Sequence, residues 1–272
     1  TLWDFIKDLT LTAGQPGESL SVYQAWRRDA RLADSAAVPI GDLGGGSDFA
    51  GFYNMLGIPS FEIGFGGRYG VYHSAYDTFN WMDRFGDPGY LSHAEAARLA
   101  AAALTRLANA DLLPFDYAGF GRALGSVIAT RHAEAVARGL PPASWASLDS
   151  AVAGLVQSGV RLDSVRAALG GATARTAPTP IALEAANDGL RQAAQAFVRP
   201  DGIPGRPFYR NVLFAPGRDD GYGAVGLPAI AEAIEDGNGA AVTGEVADLT
   251  ARVARAAALV AEASARLGPA PR

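Results

Sequence analysis

The chain has no cysteine among its 272 residues, which excludes a disulfide framework and any metal site built on thiolates. It also lacks a basic excess: 23 Lys and Arg stand against 28 Asp and Glu, a net charge of −5. A nucleic-acid binder needs a positive stripe to meet phosphates, so no nucleic-acid partner is expected. No apolar run approaches the roughly 18 residues that cross a bilayer, so no membrane span is expected either. Histidine is scarce, with three copies. The absence of cysteine is silent on compartment, which stays open, with export to the periplasm or beyond the cell as the favoured side. The opening Thr1-Leu2-Trp3-Asp4 has neither an initiator Met nor a basic-then-apolar leader. It reads as the cut end of a longer or processed chain.

What is present is mostly helix signal. Leu2, Phe5, Ile6 and Leu9 recur at helical spacing, and Leu20, Tyr23 and Trp26 do so after the glycines at 14 and 17. Ser47 can cap a helix through Met55, and Phe61, Ile63 and Phe65 alternate with Glu62 and Gly64 as a short strand would. Trp81 and Phe85 read as packing residues. Ser92 and Glu95 have the spacing of a capping box, which starts a helix running to about Ala108 with His93 in its first turn. The segment Leu112-Leu113-Pro114-Phe115-Asp116-Tyr117 breaks the pattern and marks a boundary. Beyond it the chain is alanine-rich helix. Phe120, Leu124, Val127 and Ile128 belong to one segment, and Leu148, Val152, Leu155, Leu162 and Leu169 to a second. Leu183, Ala186, Leu190, Ala193 and Phe197 make a third. The last carries Val242, Val246, Leu249, Val253, Ala256, Val260, Ala263 and Leu267 in unbroken 4-3 spacing. Such narrow apolar seams describe an antiparallel helical bundle.

Three places carry candidate chemistry. Gly44-Gly45-Gly46-Ser47 allows close backbone approach, but no strand-glycine-helix fingerprint and no P-loop lysine accompany it. That leaves a glycine-lined pocket wall or a plain turn. His73 lies in Tyr72-His73-Ser74-Ala75-Tyr76-Asp77-Thr78; a neutral imidazole is the commonest metal ligand, though a lone His among aromatics is by default a packing residue. His93 reads as structural, and His132 sits beside Arg131 and Glu134 on a solvated helix face. The connection from Pro200 to Gly223 is too long for a passive loop and too rich in aromatic and apolar residues to be disordered, so it must pack on something.

Taken together and in order, Gly46-Ser47-Asp48-Phe49, Leu56-Gly57-Ile58 and Tyr72-His73-Ser74-Ala75-Tyr76-Asp77-Thr78 resemble the end of the catalytic domain of glutamate carboxypeptidase II-like zinc peptidases, family M28. Leu112-Leu113-Pro114-Phe115-Asp116 resembles that family's junction into its transferrin receptor-like helical domain. Arg206-Pro207-Phe208-Tyr209-Arg210-Asn211 and Ala215 to Tyr222 resemble the loop this domain returns to the active site. The resemblance implies an α/β fragment at residues 1–113, the end of a zinc-exopeptidase domain, followed by an all-α helical bundle dimerisation domain at 114–272. It implies two zinc ions in the full-length protein, with His73 as a ligand. Gly46, Ser47, Tyr72 and Tyr222 would bind substrate, a small peptide. No catalytic residue falls in this chain; the general base and the other ligands would lie upstream. A homodimer through the bundle is expected.

The departures bear on specificity. Ser47, Glu62, Gly64 and Gly221 stand where the family's glutamate-selective members carry an amide or a cation. Without those donors, bidentate recognition of an acidic side chain is lost and glutamate specificity is not carried over. Arg68 or Arg218 could substitute from nearby. The alternative reading is a non-catalytic ectodomain of the transferrin-receptor kind, serving dimerisation and partner binding; retention of His73 favours the peptidase. A stand-alone helical module is a third reading, which depends on Thr1 being a true start.

Overall fold

The computed structural model describes residues 1–33, 38, 40–67, 69–170 and 177–268. They form two compact units. One comprises Trp3–Ile40 and Glu62–Ala110; the other comprises Thr1–Leu2, Gly41–Phe61 and Asp111–Arg272.

The smaller unit begins with α1 (Trp3–Thr12), which buries Phe5 and Leu9. A complete capping box then starts α2 (Val22–Asp29): Ser21 Oγ accepts the Gln24 N–H, and Gln24 returns its amide oxygen to the Ser21 N–H. Thr78 caps the single turn α3 (Phe79–Trp81), which runs into a wider π-helical turn at Met82–Gly86. The helix α4 (Leu91–Ala108) ends where its apolar pattern does. Its start differs from expectation. Ser92 and Glu95 form no capping box, because Asp87 supplies the cap from outside: its carboxylate accepts the N–H groups of Ser92 (3.2 Å) and His93 (3.0 Å) and pairs with His93 Nδ1 (2.7 Å). Trp81 packs on Tyr69 with ring centroids 5.2 Å apart. Phe85, expected to pack, is 67% exposed, with the Arg84 guanidinium 5.5 Å from its ring centre.

The expected strand at Phe61 to Phe65 does not form. Burial does alternate there, with Phe61, Ile63 and Phe65 half-buried and Glu62 and Gly64 exposed. A strand exists only by pairing, however, and among the described residues the sole sheet is a two-stranded one elsewhere. The α/β character expected for residues 1–113 is therefore absent from their described residues, whose named elements are all helices.

The larger unit is built on four long helices. Asp116 caps α5 (Tyr117–Ala137) by accepting the Gly119 N–H at 2.6 Å. The second is α6 (Trp145–Leu169). The third, α7 (Pro180–Gln195), starts with Thr179 as cap and Pro180 in its first turn. A hairpin follows, β1 (Phe214–Pro216) against β2 (Ala224–Gly226), with Ala215 opposite Val225. Then come α8 (Pro228–Glu235) and α9 (Gly239–Arg266). Both α6 and α7 pack along α9, and α5 packs on α6. All eight residues of the α9 seam are buried. Small residues set the spacing, as at Gly159, where a Cβ would run into the Tyr117–Ala118 backbone of α5. Aromatic side chains also enter this core. The Tyr117 hydroxyl donates to the Leu190 carbonyl at 2.5 Å, and Phe120 meets Phe197 edge-on.

Candidate functional site

The long connection after α7 does pack. Gly202 and Gly205 take positive φ in a tight loop whose Ile203 is buried with Ala215 and Ala229. The segment is tied to the turn at 51–57. Asn54 carbonyl accepts the N–H groups of both Arg210 and Asn211 at 2.9 Å, and Asn211 Nδ2 donates to the Tyr53 carbonyl at 3.2 Å. That turn is not the α-helix expected from a Ser47 cap through Met55. It widens into a π-helical turn, Gly51–Met55, with no side-chain cap, and this orients the Asn54 carbonyl toward the loop.

From this base the hairpin carries residues 217–223 over the glycine run. Asp220 shapes the tip by accepting the N–H groups of Tyr222 (2.9 Å) and Gly223 (3.2 Å), and Gly221 takes positive φ. The Gly45 N–H donates to the Tyr222 carbonyl at 3.0 Å. A Cβ on Gly45 would lie 2.5 Å from Pro216 Cγ, and one on Gly46 would lie 2.8 Å from the Tyr222 ring. Glycine is required at these positions because another backbone and ring occupy the space a side chain would take. Gly46 and Tyr222 are thus in contact, and Ser47 follows directly, its carbonyl accepting the Ala50 N–H. The Tyr222 side chain is 61% exposed. Close by, burial raises the pKa of Asp42, and burial together with the Asp42 charge raises that of Tyr53 against a lowering hydrogen bond from Asn211.

Tyr72 and His73 belong to the other unit. Their rings stack at 3.8 Å with 21° between planes. His73 is left-handed (φ 58°), a conformation that few non-glycine residues adopt. The next residues hold it there: Ser74 N–H and Oγ both donate to the Val71 carbonyl, and Ser74 Oγ accepts the Tyr76 N–H. Both rings are exposed. Among the described residues no three His, Asp, Glu or Cys side chains converge as a metal cage. One imidazole does not hold a catalytic zinc, which takes about three protein ligands. The residues present therefore do not fit a complete zinc site.

The other two histidines have structural partners. His93 pairs with Asp87, whose carboxyl is held down at about 2, first by that hydrogen bond and then by the backbone N–H groups it caps. His132 is exposed on α5, as expected, but stacks on Trp145 at 4.9 Å. Arg218 is engaged by Asp236 (3.1 Å) and Glu235 (3.4 Å) at the end of α8. Arg68 lies outside the described residues. Sequence reasoning placed Asp220 and Asn211 in the returning loop but gave neither a role; they shape and seat the hairpin. The Asp-x-Tyr-Gly spacing at 220–223 is an Asx-turn signal and could have found the first; Asn211 had no local signal.

Residues 143–261 match the model of the transferrin receptor-like dimerisation domain. That stretch takes in α6, α7, the Tyr222 hairpin, α8 and most of α9, and leaves out α5. Among curated proteins, the chain is 32% identical over 247 residues to aminopeptidase NAALADL1 of Rattus norvegicus, covering 85% of this chain and 32% of the relative. It is 29% identical over 217 residues to a probable glutamate carboxypeptidase, LAMP1, of Arabidopsis thaliana, covering 79% and 30%. A probable glutamate carboxypeptidase of Arthroderma benhamiae is 28% identical over 226 residues, covering 81% and 30%. The chain spans about a third of the length of the curated relatives it matches. No helix among the described residues is long and apolar enough to cross a membrane. The chain is a homologue of the glutamate carboxypeptidase and NAALADL1 aminopeptidase group of family M28, and it carries a transferrin receptor-like dimerisation domain.

Proposed function

We propose that this chain is the C-terminal portion of a zinc-dependent exopeptidase that hydrolyses peptide bonds of small peptides. Residues 1–113 end its peptidase domain and 114–272 form the dimerisation domain, through which the protein is a homodimer. The observation that carries the reading is the hairpin at 214–226, which seats Tyr222 on a glycine run that has no room for side chains. A bundle needs no such device for its own stability; a substrate wall does. In this reading Gly46, Ser47, Tyr72 and Tyr222 contact the peptide, and His73 is one zinc ligand. The names of the relatives, carboxypeptidase and aminopeptidase, support the reaction class.

Zinc supplies an activated water and a polarised carbonyl when it is bound. The chain's own part is to bind and orient the peptide, and the general base is provided by the rest of the polypeptide. Glutamate selectivity is not part of the proposal, since Ser47, Glu62, Gly64 and Gly221 offer no cation and Arg218 already has two carboxylate partners. The test is metal content and hydrolysis of short peptides by the full-length protein, with and without His73→Ala. Loss of zinc and of activity in the variant is expected. A full-length protein with neither zinc nor hydrolysis is instead a non-catalytic, receptor-like ectodomain, and unchanged zinc in His73→Ala would remove the ligand role.

A further inference from the structure

The hairpin has an anchor that its own strands do not provide. Its two strands are three residues each, and isolated two-stranded hairpins are marginal in water. Arg206 reaches it from the preceding loop. Its backbone is fixed first: the Arg206 N–H donates to the Ile203 carbonyl and its carbonyl accepts the Tyr209 N–H, both at 3.0 Å. The guanidinium then divides its fork. Nη1 donates to the Pro216 carbonyl at 2.6 Å, while Nη2 pairs with the Glu232 carboxylate on α8. The Tyr209 ring lies 5.2 Å from the guanidinium carbon. Both charged side chains are mostly withdrawn from water, at 16% and 13% exposed. Nε is buried without an acceptor among the described residues, so the position retains an arginine at some cost.

Pro216 is the residue on which this converges. It ends β1, and its ring is what a Gly45 side chain would strike. An unbroken set of contacts therefore runs from Glu232 through Arg206 to Pro216, and from there to Gly45 and the Tyr222 carbonyl. We propose that Arg206, clamped by Glu232, is a positioning residue that holds the 217–223 loop, and with it Tyr222, against Gly44–Gly46. The inference rests on the reading of Tyr222 as a substrate-facing residue only for its catalytic consequence; the positioning itself does not. Lysine replaces the arginine only in part, because a single ammonium lacks the planar fork that meets a carbonyl and a carboxylate together.

The experiment is amide hydrogen exchange read together with steady-state kinetics on the full-length protein, using Arg206→Ala, Arg206→Lys and Glu232→Gln. With Arg206→Ala, exchange at Gly217, Gly221 and Gly45 should rise about tenfold while α9 keeps its protection, and KM for a short peptide should rise by a similar factor with kcat less affected. Arg206→Lys should fall between wild type and alanine. Unchanged exchange in the loop overturns the inference whatever the activity does. Raised loop exchange with unchanged KM leaves the positioning role standing and removes Tyr222 from the substrate site. If Arg206→Ala loosens α9 as well, Glu232→Gln decides: a rise confined to 217–223 supports the clamp, and a rise shared with α9, or none, overturns it.

Discussion

Replacing Gly45 by alanine should displace the hairpin, and the size of the effect follows from the geometry. The new Cβ would meet Pro216 Cγ at 2.5 Å, Gly221 carbonyl oxygen at 2.7 Å and Pro216 Cβ at 3.0 Å. Carbon pairs rest at about 3.5 Å or more, so roughly 1 Å of separation is missing. Proline pucker yields a few tenths of that, and Arg206 holds the Pro216 carbonyl at 2.6 Å. The loop must therefore retreat, breaking the bond from Gly45 N–H to Tyr222 carbonyl. Overpacking of this kind costs about 1–3 kcal/mol. Because the hairpin can open without the bundle, we expect the lower part of that range in global stability, a fall in Tm of about 2–6 °C for a unit of this size. The larger effect is local: a misplacement of about 1 Å in a substrate-positioning group can cost about a hundredfold in kcat/KM. Gly51→Ala is the control, since nothing lies within 4 Å of a Cβ there. If Gly45→Ala matches Gly51→Ala in Tm, in exchange at 217–223 and in kcat/KM, the close approach of hairpin and glycine run is not a feature of the protein.

Two further outcomes follow from the helices. Leu155 is fully buried on α6, and Leu155→Ala should lower unfolding free energy by about 2–5 kcal/mol in chemical denaturation. Asp87 has its carboxyl depressed to about 2 by His93 and the N–H groups it caps. A depressed folded-state pKa contributes stability that is complete above the unfolded carboxylate pKa, near 4, and is lost as pH falls through about 2. Protection of Ser92 and His93, taken relative to the intrinsic exchange rate at each pH, should fall on acidification over that window, and Asp87→Ala should show the lower protection already at neutral pH, with no change in the far end of α4.

How much was legible in the sequence depended on whether a residue's partner was near it in the chain. The α9 seam could be read position by position, because a 28-residue helix repeats its burial pattern many times. The start of α4 could not. Ser92 and Glu95 have the right spacing for a capping box, but Asp87 reached the N–H groups first from a turn outside the helix. Phe61, Ile63 and Phe65 carry the alternation of a strand without a neighbour to pair with, since periodicity encodes a face and not a partner. At the candidate site the glycine run announced a close approach. What approached it, 170 or so residues later, came from resemblance and not from spacing. Resemblance placed Arg206 in the returning loop but gave it no role, because its two acceptors lie 10 and 26 residues away, on a strand end and on a helix.

The most direct test of the account is the kinetics of short-peptide hydrolysis by the zinc-loaded full-length protein and its Tyr222→Ala variant. Hydrolysis by the wild type is expected and, in the variant, a KM raised by about tenfold or more with kcat largely kept, as follows when a group that binds substrate is removed. Hydrolysis with an unchanged KM in Tyr222→Ala, or none by the zinc-loaded wild type, would contradict it.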